Sequence, residues 1–137
     1  GMLVLLYYIV YVIAPVGPQQ GPAFQEEKVY TVSEVSSKPE PLTGLSAFHK
    51  KWSNKVSYPN EALRQKIEGM VFIEFLVDKD GTIRNASVRS GIGHGCDEAA
   101  LEGFNELAKT AWKPGIKNDQ PVKVKMVLPF FFRIIKM

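Results

Sequence analysis

From Gly69 the apolar residues alternate strictly. Val71, Ile73, Phe75 and Val77 share one face, and Met70, Phe72 and Leu76 share the other with Glu74. A period of two predicts a strand, and apolar residues on both sides place it centrally in its sheet. Asp78-Lys79-Asp80-Gly81 supplies turn chemistry, with Gly81 free to take positive φ. The return stretch, Thr82 to Ser90, is more polar, and its apolar residues Ile83, Ala86 and Val88 lose their phase between 83 and 86. One extra residue there restores the phase, which predicts a β-bulge and an edge strand.

Helical spacing occurs on both sides of this hairpin. Phe48 and Trp52, four apart, predict a first helix over Ser46 to Lys55, and Pro59 suits the first turn of a second one through Lys66. After Gly91, Gly93 and Gly95, a long stripe runs through Cys96, Ala99, Ala100, Phe104, Leu107, Ala108 and Ala111. Trp112-Lys113-Pro114-Gly115 ends it. A last strand follows from Pro121 to Ile135, with Val122, Val124, Met126, Leu128, Phe130, Phe132 and Ile134 facing the helices. The elements predict an α+β fold: a three-stranded antiparallel sheet in the order 2-1-3, with helices packed on one face.

Pro129 stands inside that last strand. Proline lacks the N–H a ladder needs, so an interior proline is tolerated where its backbone faces an open edge. By parity, Lys123, Lys125, Val127, Phe131 and Arg133 then also turn their backbone groups outward. Lysine and proline commonly blunt such edges. The same edge can instead accept an extended peptide as a further strand.

Composition alters this picture little. The chain has 137 residues and a formal net charge of +3, enough for one compact domain with a mild excess of cations. From Lys109 onward there are seven Lys/Arg and one acid, Asp119. That excess reads as a solvated basic face. Upstream, residues 15–44 hold five of the nine prolines, at positions 15, 18, 22, 39 and 41, and read as a semi-rigid spacer in which Val29 to Val32 could form a short strand. Gly1 before Met2 is taken as a remnant outside the fold. Residues 2–14 are continuously apolar and, as a helix, span roughly 20 Å, short of a roughly 30 Å hydrocarbon core. They fit the apolar part of an export or anchoring segment, although no cation precedes them.

The candidate chemistry is sparse. His94-Gly95-Cys96-Asp97 invites a catalytic reading, but Cys96 opens an apolar helix stripe, whereas a nucleophilic thiol must be exposed and activated. Two histidines and one cysteine far apart in sequence do not make a zinc set. The glycines at 91, 93 and 95 lack the strand and lysine of a phosphate loop. The aromatic signature strand of RNA-binding sheets is absent, so no nucleic acid is expected as partner. Trp52 and Trp112 read as core anchors, and His49 as solvated. No enzymatic activity, cofactor or metal is expected.

Several motifs in fixed order carry a resemblance. Tyr58-Pro59, Ile67-Glu68-Gly69, Asp80-Gly81, Trp112-Lys113-Pro114-Gly115 and Leu128-Pro129-Phe130 resemble the C-terminal domain of TonB, the periplasmic energy transducer of Gram-negative bacteria, over Leu45 to Ile135. The lead-in VYTVSEVSSKPEPLTG is similar to that of TonB-like proteins of the Bacteroides group. The resemblance implies three regions: an apolar export or anchor segment at 1–14, a spacer at 15–44, and the TonB-like domain at 45–137. It implies a binding module in the periplasm, held to the inner membrane by its N-terminal segment. Its partner would be the extended TonB box of an outer-membrane transporter, added as a strand beside Lys123, Lys125, Val127, Pro129, Phe131 and Arg133. An inner-membrane proton-driven complex would supply force for uptake. The short spacer, and the lack of Ser and His in the apolar segment, depart from the family's pattern and weaken that coupling. The alternative reading is a sensory or binding appendage cut from a larger membrane protein, such as an antibiotic-sensing membrane metallopeptidase. A third is a homodimer through the same edge, or occupation of that edge by Val29 to Val32.

Overall fold

The computed structural model describes residues 27–135. The expectations for residues 1–14, and for the spacer before residue 27, fall outside that range. In chain order the elements are β1 (Val29–Tyr30), a 3-10 turn (Val32–Glu34), β2 (Glu40–Pro41), α1 (Leu45–Lys55), α2 (Asn60–Arg64) and β3 (Gly69–Val77). There follow β4 (Ile83–Ser90), α3 (Cys96–Asn105), β5 (Trp112–Lys113), β6 (Gly115–Lys117) and β7 (Gln120–Phe132).

The expected centre holds. β3 lies between β4 and β7, antiparallel to both, in the 2-1-3 order read from the sequence. Two differences enlarge the sheet. β1 adds to the far flank of β7 in parallel, pairing Val29 with Lys123 and Tyr30 with Val124. β6 folds back on the start of β7 through Asn118 and Asp119, both at positive φ (51° and 60°). A two-residue connection with both central residues left-handed is the geometry whose twist matches the strands it joins.

The bulge appears where the phase slipped. Glu74 pairs with Ser87 and Leu76 with Arg84, so two steps on β3 meet three on β4. Asn85 absorbs the extra residue at φ 56°. A second irregularity falls between Phe72 and Ile73.

The alternation of β3 is resolved by burial. Val71, Ile73, Phe75 and Val77 are sealed from solvent together with Val124, Met126, Leu128, Phe130 and Phe132 of β7. The helices cover that face: Trp52 lies 4.9 Å from Phe130, and Phe104 lies 4.8 Å from Phe75, ring centre to ring centre. Inclined aromatic contacts of this kind add to area burial. The Trp52 indole N–H donates to the Ala100 carbonyl at 3.0 Å, tying α1 to α3. The opposite face of β3 is uncovered, with Met70 exposed and Phe72, Glu74 and Leu76 half-buried.

α3 ends at Asn105, short of the stripe's reach to Ala111. The chain instead tightens into turns, with Leu107, Ala108 and Thr110 each donating three residues back. This brings Trp112 beside Pro41, where β5 and β2 pair. There Gly81 meets it: at φ 84°, a Cβ on Gly81 would stand 2.0 Å from the Trp112 carbonyl oxygen. Asp80-Gly81 and Trp112-Lys113 are therefore two sides of one close approach. Likewise a Cβ on Gly115 would stand 2.4 Å from the Val124 side chain and 3.4 Å from Pro39. The upstream segment is thus not only a spacer. Pro39 is fully buried, Pro41 is buried, and Ser37 bridges to Ile116.

Candidate functional site: the outer flank of the last strand

Pro129 sits opposite Phe72 of β3. Opposed residues of an antiparallel pair alternate between exchanging two backbone bonds and exchanging none. Proline has no N–H to exchange, so this pair is of the second kind and Pro129 turns its carbonyl away from β3. Its odd-numbered neighbours do the same, and the even-numbered ones bond to β3. The parity argued from sequence follows from the register.

The outer flank is not open along its whole length, which corrects the expected start at Lys123. β1 covers that position, and its parallel register places Tyr30 between the outward groups of Lys123 and Lys125. Beyond Val124, no strand among the described residues pairs with this flank. β1 is held by its ladder to β7, by the half-buried Tyr30 packed against the core, and by solvent-facing contacts. Glu27 accepts from Lys79 at 2.7 Å and lies 4.0 Å from Lys123. Lys28 and Lys117 flank the Tyr30 ring at 4.8 and 5.5 Å. Immediately downstream, the Thr31 N–H donates to Glu34 at 2.9 Å, and this bond holds the Glu34 carboxyl below its ordinary pKa.

The six predicted site residues therefore differ. Lys123 is covered. Lys125 is exposed, with its ammonium 4.0 Å from Glu74. Val127 turns its backbone to the unpaired flank. The Pro129 carbonyl accepts from Nε2 of His49 at 3.1 Å. Phe131 is 51% exposed, with the Arg133 guanidinium 4.5 Å from its ring centre.

Sequence reasoning missed two features of this flank. His49, expected to be solvated, is half-buried against Trp52 at 5.5 Å and reaches over the edge of β7. A cleft of about 430 Å³ opens beside Met126, Val127 and Leu128, and its far wall includes Val32, Pro39 and Leu45. No local signal marks either feature, because both depend on where α1 and the upstream segment land.

The catalytic alternative fails on chemistry. Cys96 is fully buried, and burial pushes its thiol pKa up, with Asp97 and Glu98 adding to the effect. A thiol so placed is a poor nucleophile. His94 instead faces Glu61 at 3.7 Å. Among the described residues, no three His, Cys, Asp or Glu side chains gather as a metal set, and no helix is long and apolar enough to cross a membrane.

The family model of the Gram-negative bacterial TonB protein C-terminal matches residues 54–134, more than half of the chain. The chain belongs to the TonB C-terminal family. Its matched region runs from the end of α1 to just beyond β7 and leaves the lead-in outside. Among solved structures, the TonB C-terminal domain of Helicobacter pylori is similar at 25% identity, with 63% of this chain and 90% of that one covered and a TM-score of 0.46. The Pseudomonas aeruginosa TonB C-terminal domain is similar at 23% identity over 78% of this chain and 95% of that one, with a TM-score of 0.45. No curated protein matches the chain.

Proposed function

We propose that this TonB-family domain is a peptide-capture module, not an enzyme, and that it takes an extended segment onto the outer flank of β7. The observation that carries the reading is the register of Pro129 against Phe72, which turns the backbone of Val127 and Phe131 to a flank that has no partner strand there among the described residues. Strand addition draws affinity from main-chain bonds, so it tolerates varied peptide sequences while side chains tune the choice. Family membership supports a TonB box of an outer-membrane transporter as the occupant, in the periplasm, with energy-coupled uptake as the purpose. The first contacts form at the Lys125 carbonyl and at Val127. Extension toward Arg133 requires His49 to release the Pro129 carbonyl.

The test is an NMR titration of the domain with TonB-box peptides. Amide shifts are expected to concentrate at 125–133 and at His49. Shifts confined to α3, with the β7 flank unmoved, overturn the reading.

A further inference from the structure

Met126 and Leu128 line the cleft beside β7 together with Val32, Pro39, Pro41 and Leu45 of the upstream segment and α1. All of those upstream residues precede the family-matched region, which begins at residue 54. We infer that this cleft is a subsite for one apolar side chain of the docked peptide, so that the lead-in helps select the ligand. The inference rests on the capture reading above.

Three observations converge on that occupant. The cleft is continuous with the unpaired flank, since Val127, whose backbone opens onto it, is part of its lining. β1 already lies along the same line at Lys123 and Val124, then leaves it at the 3-10 turn Val32–Glu34. A second strand entering at Val127 takes up the line that β1 abandons, at the usual strand spacing of about 4.8 Å. Finally, the walls are mainly apolar, with Lys38 and Glu40, both exposed, as the charged lining residues.

Period two sharpens the claim. Alternate side chains of an added strand point to opposite faces. Those on the helix side meet Met126, Leu128 and Leu45. Those on the other side lie over the uncovered face. One residue of the peptide enters the cleft, and its immediate neighbours do not.

Fluorescence anisotropy with a labelled, capped peptide of alternating serine and valine tests this, together with single Val→Ser versions of it. One position is expected to stand out, its serine weakening binding by about tenfold, the order that burial of an aliphatic side chain supplies. Val32→Trp, at an exposed site, fills the cleft, and in that variant the same serine is expected to cost less than about twofold. Leu45→Trp, at another lining residue, serves if Val32→Trp is poorly folded. An undiminished tenfold penalty in a folded variant overturns the subsite while leaving strand addition standing, as does a scan in which no position stands out. Peptide binding that Val127→Pro leaves unchanged overturns the capture reading and the subsite with it.

Discussion

The two lateral strands of the sheet, β4 and β7, solve the edge problem in opposite ways. β4 is irregular. It carries a bulge at Asn85 and a second irregularity near Ser90, and its exposed arginines are paired, Arg84 with Asp78 at 2.7 Å and Arg89 with Glu74 at 3.1 Å. Irregularity and charge of that kind deny a foreign strand any regular ladder. β7 is 13 residues long, paired without a register break along β3 from Val124 to Phe132. Its outer flank is blunted by one proline, by lysines, by a two-residue strand of the chain's own and by His49. Both edges must avoid indiscriminate pairing, but only the second keeps a straight row of outward groups. An edge protected by removable parts differs from one protected by its backbone shape.

That contrast can be broken most severely from within β7. Leu128→Pro removes an N–H aimed at β3 and a buried side chain, and it is expected to cost about 3 kcal/mol or more, enough to lower or abolish the thermal transition. Val127→Pro, one residue away, removes an N–H that faces the open flank. Its expected outcome is a folded domain within about 1 kcal/mol of the parent, with peptide binding weakened at least about tenfold. If calorimetry and titration give the two variants equal stability, the parity on which the site rests is wrong.

On the other edge, Asn85→Val forces a branched side chain into the left-handed region and is expected to destabilise by about 1–2 kcal/mol, whereas Asn85→Gly is nearly neutral. Chemical denaturation separates them. Equal costs would mean that the bulge is not what shapes β4.

The smallest effect concerns acid. The Thr31 N–H lowers the Glu34 pKa, so this contact contributes fully above the ordinary glutamate range and is lost as pH falls through the depressed value. The lead-in beside β7 is expected to loosen only in acid, read as a Thr31 amide shift with its midpoint below that of a free glutamate. A shift centred at the ordinary value would separate Glu34 from the holding of β1.

Much of this fold is legible in the sequence, for definite reasons. Period-two alternation identified β3, the phase slip at 83–86 located the bulge, and Pro129 gave the parity of β7. Each is a local constraint on backbone bonding. The contribution of residues 29–45 was less legible, because β1 and β2 are two residues long and gain their places from Lys123 and Trp112, far along the chain. The β6 hairpin did leave a trace in Asn118-Asp119, residues that tolerate positive φ, but its flanking strand is short. The overrun of α3 has a similar cause: the helical stripe continues past Asn105, and the pairing of Trp112 with Pro41 overrides it.

The central claim is that alternate amides of β7 live in different worlds, and residue-resolved hydrogen exchange reads this directly. In the free domain, Met126 and Leu128 should exchange slowly and Val127 and Phe131 fast, and addition of a TonB-box peptide should slow Val127 first. Equal protection of Val127 and Leu128 without peptide, or fast exchange at Val127 in the saturated complex, would contradict it.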